Sequence, residues 1–99
     1  MLNINKTTEN DTVRFSVAGR LDTITAVQFE QEVKSSLEGV KDLILDFAEL
    51  EYVSSAGLRV LLSVQKIMNK QGSMKLVNVC SDVLEILEIT GFTDILTIE

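Results

Sequence analysis

Val13, Phe15 and Val17 alternate with Arg14, Ser16 and Ala18, and this period of two predicts a strand with one buried face. Leu2 and Ile4 predict a shorter strand before it, with Asn10-Asp11 as the turn. The start of the chain therefore reads as an antiparallel hairpin closing at Gly19. Ala26, Phe29, Val33 and Leu37 then recur at spacings of three and four, the mark of an amphipathic helix. Asp22 or Thr23 is placed to cap that helix, and Gly39 to end it in a left-handed turn.

Residues 42–47 have an unbroken apolar centre, which predicts an inner strand covered on both faces, with Asp46 at its end and a loop over 48–53. A long helix follows from Ser54 or Ser55 to about Gln71. Its inner face is Gly57, Val60, Leu61, Val64, Ile67 and Met68, widened by Leu58 and Leu62. Arg59, Ser63, Lys66 and Lys70 form its polar stripe, and Gly72 terminates it. Residues 74–79 predict a second inner strand. A short helix capped by Ser81 or Asp82 then runs to Gly91, and residues 92–98 form a last strand or extended tail. Strands alternating with helices predict an α/β fold, here a mixed sheet of about four to five strands in one domain spanning residues 1–99.

Charge narrows the function. Nine Lys and Arg against fifteen Asp and Glu leave a net charge of −6. That argues against nucleic acid and against an anionic membrane surface as partners. There is no histidine and only one cysteine, so a zinc site, a histidine-based triad and a disulfide framework are excluded, and no metal or cofactor is expected. The first residues lack the apolar stretch of a signal peptide, and no window approaches a membrane span, so a cytoplasmic location is expected. Cys80 then reads as a small buried residue in a reducing compartment.

Open α/β sheets place function beyond the carboxyl ends of their strands. Residues 19–22 and 51–59 should reach that edge, which would gather Asp22, Asp46, Ser54 and Ser55 near one helix N-terminus. Such a terminus offers unpaired N–H groups and partial positive charge. Either serine, and Asp22, can equally be a helix cap and nothing more.

Three segments carry a resemblance. Leu45-Asp46-Phe47 through Tyr52-Val53-Ser54-Ser55-Ala56-Gly57-Leu58-Arg59 resembles the signature of the STAS domain, specifically of bacterial anti-sigma factor antagonists. Gly19-Arg20-Leu21-Asp22 is similar to that family's early Gly-x-Leu-Asp element, and Leu87-Glu88-Ile89-Thr90-Gly91-Phe92 to its Leu-x-x-x-Gly-Phe ending. The resemblance implies a SpoIIAA-like fold and a partner switch. The unmodified antagonist binds an anti-sigma factor that is also a serine kinase, and so frees a sigma factor. Phosphorylation breaks the complex, and a serine phosphatase restores it. By motif register the phosphoacceptor is Ser55, with Ser54 as the alternative. Asp22, Asp46, Ser54, Ala56, Gly57, Leu58 and Arg59 are the implied partner contacts. Two positions depart from the best-studied members, which carry Asp before the acceptor and often Ser or Thr after it, where this chain has Ser54 and Ala56. Charge reversal at Asp22 or Arg59 is then expected to weaken the complex with thermal stability nearly unchanged.

Rival readings are weaker. A serine hydrolase needs a base, and histidine is absent. Ser63-Val64-Gln65-Lys66 has Ser-x-x-Lys spacing but falls inside a helix on its polar stripe, and no glycine-rich phosphate loop exists, so no enzymatic activity is expected. A receiver domain would need acidic Mg²⁺ ligands after its first strand, and residues 2–6 supply none. The alternative that keeps the fold is an unphosphorylated STAS accessory subunit of a transporter or sensory complex.

Overall fold

The computed structural model describes residues 2–99. The elements in chain order are β1 (Leu2–Glu9), β2 (Thr12–Leu21), α1 (Thr25–Lys34), β3 (Asp42–Val53), α2 (Ser55–Gln71), β4 (Ser73–Val77) and α3 (Ser81–Ile89). One four-stranded sheet has the order β1-β2-β3-β4. The hairpin is antiparallel, in register from Leu2↔Gly19 to Glu9↔Thr12, and Asn10 makes the turn at φ 57. β2, β3 and β4 are mutually parallel, so α1 and α2 are crossover helices.

Burial alternates along β3. Leu43, Leu45 and Phe47 are fully covered, whereas Ile44 and Asp46 are only half-buried. The expectation of a strand covered on both faces is thus corrected. One continuous core lies between the sheet and the helices, with Phe15, Phe29, Phe47, Leu61 and Met68 at 0% exposure, and the opposite sheet face is open.

Two strands outrun their sequence signal. β2 does not close at Gly19 but continues to Leu21, and β3 does not end at Asp46 or Phe47 but continues through 48–53. The cause is irregular pairing: the register shifts between Ser16 and Ala18 and again between Gly19 and Arg20. Both shifts insert an extra residue in β3, Gly19 stands beside the second with φ 109, and Ala48 and Glu49 are both exposed, which breaks the period of two.

Helix α1 stops at Lys34, short of Leu37. The turn that follows is held by the Gln71 Nε2 amide, which donates to the carbonyls of Leu37 and Val40 at 2.6 and 2.7 Å. Gly39, at φ 77, lies in that turn and does not cap the helix. β4 ends at Val77, and α3 is preceded by Cys80, which makes no side-chain cap; Ser81 and Asp82 lie inside the helix. Gly91, at φ 79, leads into a 3₁₀ turn over Phe92–Asp94. The expected last strand is a single bridge, Leu76↔Ile98, with Leu76 N–H donating to Thr97 O and Glu99 N–H to Leu76 O. No helix among the described residues is long and apolar enough to cross a membrane.

Candidate functional site

The end of β3 is tied to the end of β2. Leu21 pairs with Val53, and the Ser54 N–H donates to Leu21 O at 2.8 Å. Ser54 is in an extended conformation, and its hydroxyl accepts the Gly57 N–H at 3.3 Å, so Ser54 is the N-cap of α2. Ser55 is the first residue of the helix and is exposed. One hydroxyl is therefore committed to the backbone while its neighbour faces solvent.

Gly57 explains how the helix sits so close to the sheet. A Cβ there would lie 2.8 Å from Leu21 Cγ and 3.0 Å from Val53 Cγ1, so only glycine fits without a shift of the core. Gly57 and Leu58 are both buried, Ala56 is half-buried against the core, and Arg59 is exposed. Among the residues 54–59, surface chemistry is thus presented by Ser55, Arg59 and part of Ala56.

Asp22 stands on the same edge. Its Oδ1 accepts from the Ile24 N–H at 3.0 Å, the Thr25 N–H at 2.9 Å and the Thr25 hydroxyl at 3.0 Å. Asp22 N–H donates back to Thr25 Oγ1 at 2.8 Å, and Ala26 N–H to Asp22 O at 2.9 Å. Asp22 is thus the cap that opens α1, and hydrogen bonds from Thr25, backbone first, hold its carboxyl below the usual range.

Asp46 is not brought to this edge. Six residues of β3 lie between it and Val53, and the partners of the two, Ser16 and Leu21, are five steps apart on β2, about 17 Å at strand rise; Asp46 lies on the open sheet face. There it pairs with Arg14 at 2.6 Å and accepts from Ala48 N–H at 3.0 Å and Asn78 Nδ2 at 3.2 Å. Partial burial opposes its ionisation, yet the Ala48, Arg14 and Asn78 donors together outweigh burial and lower its pKa. An acid is tolerated inside this strand because its face is open and a guanidinium meets it.

Known proteins share this architecture. Residues 3–99 match the STAS domain family. The chain belongs to the STAS domain family. This STAS domain is 33% identical over 101 aligned positions to the anti-sigma-B factor antagonist of Bacillus subtilis strain 168, covering 98% of this chain and 92% of that one. Its fold is similar to an anti-sigma factor antagonist from Mycobacterium paratuberculosis, with TM-score 0.89, 19% identity and coverage of 99% and 85% of the two chains. It is also similar to the antagonist SpoIIAA in its unphosphorylated form, with TM-score 0.82, 18% identity and coverage of 100% and 88%. The SpoIIAA-like mixed sheet with its N-terminal hairpin agrees with the expectation from sequence, with four strands.

The STAS domain also displays two residues that sequence pattern did not single out. Ile24 is 83% exposed and Val27 is 55% exposed, both at the start of α1. Val27, Thr23, Glu30, Ala56 and Arg59 line an open groove of about 240 Å³ between α1 and α2, next to Ser55. The available signal was an apolar residue one position off the buried Ala26, Phe29, Val33 face, together with an isoleucine inside a cap.

Proposed function

We propose that this STAS domain is an anti-sigma factor antagonist working by partner switching, with Ser55 as its switch. In the unmodified state the edge formed by Ser55, Arg59, Ile24 and Val27 docks on an anti-sigma factor that is also a serine kinase, and the sigma factor is released. In the kinase step the Ser55 Oγ bonds to the γ-phosphorus of ATP as the bond to ADP breaks, and the hydroxyl proton passes to solvent. The phosphoserine carries about −1.5 to −2 charge and three acceptor oxygens, which disfavour a dry interface shaped for a hydroxyl. A serine phosphatase reverses the modification by hydrolysis.

The observation that carries this reading is the division of labour at α2. Ser54 caps the helix through its hydroxyl, whereas Ser55 is exposed at the strand-end edge in the register of the family's acceptor. Phosphorylation of Ser54 would take place on the oxygen that accepts the Gly57 N–H.

The test is incubation of the pure protein with its partner kinase and ATP, followed by mass spectrometry of the modified peptide. Phosphate on Ser55, tight binding of Ser55→Ala and weak binding of Ser55→Asp are expected. A loss of about 3 kcal/mol on modification corresponds to more than a hundredfold in affinity. Phosphate on Ser54 would move the switch by one residue. Absence of phosphate with a true partner present would favour a binding-only STAS subunit of a transporter or sensory assembly.

A further inference from the structure

Ser55 and Arg59 are both exposed and lie four residues apart on α2, so their side chains leave the same face of the helix. The ion pairs among the described residues are Arg14–Asp46, Glu30–Lys34 and Lys75–Glu99, which leave Arg59 unengaged. The first turn of α2 contains no acidic residue. Across the groove, Glu30 of α1 also lines the space beside Arg59, but its carboxylate is held by Lys34 at 2.8 Å.

Resting on the reading of Ser55 as phosphoacceptor, we propose that Arg59 is an internal latch for the phosphate, folding back one helical turn to pair with phosphoserine 55. An acidic group N-terminal to a basic one at i,i+4 is the favourable order on a helix. A guanidinium meets phosphate with two parallel N–H···O bonds, which an ammonium cannot reproduce. The phosphate also gains from the partial positive charge of the helix start. The switch then has two effects. Phosphorylation adds negative charge at position 55, and it withdraws the positive charge that Arg59 otherwise offers a partner at the rim of the groove. Local charge changes from +1 to about −0.5 to −1, with no change of fold.

The latch is tested on protein carrying phosphoserine placed at position 55 during translation, so that no kinase is needed. Phosphorus NMR follows the second ionisation of the phosphate, ordinarily near pH 6, in the wild-type, Arg59→Gln and Arg59→Lys backgrounds. The wild-type phosphate is expected to titrate about 0.2–0.4 pH unit below that of Arg59→Gln, with Arg59→Lys between them. The difference should shrink at high salt. Superimposable titrations in all three proteins overturn the latch, whatever the kinase does. A kinase that leaves Ser55 unmodified overturns the proposed switch instead, so the two failures are distinct. In the partner-binding arm, phosphorylation should weaken binding by a smaller factor in Arg59→Gln than in wild type. An equal factor in both counts against Arg59 being withdrawn.

Discussion

Two carboxylates show how single residues divide between structure and function. Asp46 is ionised below the usual range because Ala48, Arg14 and Asn78 donate to it. With its folded pKa below its unfolded value, its contribution is complete above the unfolded value and is lost as pH falls through the folded one. Asp46→Asn is expected to cost about 1 kcal/mol at neutral pH. That gap should close as pH falls below the ordinary carboxylate value, about 3.9, and through the lower folded one, as urea unfolding of both proteins would reveal. Asp22 revises the expectation that charge reversal at both contact positions leaves stability untouched. It caps α1 through three hydrogen bonds, so Asp22→Lys should lower the thermal midpoint, whereas Asp22→Asn should hold it, since asparagine is an equally good cap. Asn is therefore the informative substitution for asking whether the charge at 22 matters to a partner. Arg59 carries no such structural duty, and Arg59→Gln should leave the midpoint nearly unchanged.

At the level of elements, the position of α2 decides where Ser55 stands. The helix rests on Leu21 and Val53 through Gly57, and both side chains are essentially fully buried. Adding one methyl there forces a shift of packed side chains, a cost of about 1–3 kcal/mol, only partly offset by the roughly 1 kcal/mol gain in helix propensity of alanine over glycine. Gly57→Ala is therefore expected to lower the unfolding free energy and to weaken partner binding together, as measured by denaturant unfolding and by titration calorimetry. The Ser54 cap belongs to the same device. Its backbone N–H anchors the helix start to β2 and its hydroxyl receives Gly57 N–H, so Ser54→Ala should cost about 1 kcal/mol while leaving Ser55 available.

For the whole molecule, the sheet has unequal faces and unequal edges. Helices cover one face, and the other carries Arg14, Asp46 and Ile44 half-buried. β4 would be an open edge, but the tail lies along it through Thr97 and Glu99, with Leu96 buried and Glu99 paired to Lys75 at 3.6 Å. Removing Thr97–Glu99 deletes two backbone hydrogen bonds and should destabilise the domain by about 1–2 kcal/mol. It should also raise its tendency to associate through the exposed strand, as light scattering on the truncated protein would detect. The proposed role is one of binding, so the pure protein is expected to hydrolyse neither esters nor nucleotides. Turnover that disappears in Ser55→Ala would argue for a catalytic serine instead.

Most of this chain is legible from the periodicity of its apolar residues. The strand through Val13, Phe15 and Val17 buries the residues its spacing predicts, and the helix from Ser55 to Gln71 does so except that Ile67 is only partly buried and Gln65 is buried as well, because an isolated face can satisfy only one period. The order of elements through α3 follows from sequence in the same way, whereas the expected last strand is a single bridge. Long-range contacts decided the remainder. Irregular pairing near Gly19 carried β2 and β3 beyond their alternating runs, and Gln71 shaped the turn after α1 from across the fold. Asp46 looked like a site residue because it sits at the end of an apolar run. The continuation of β3 left it about 17 Å away, in an ion pair with Arg14. Periodicity left open which of two adjacent serines caps α2, since both are good caps. Only the seating of α2 on Leu21 and Val53 turned Ser54 to the backbone and Ser55, with Arg59 one turn behind it, to the surface.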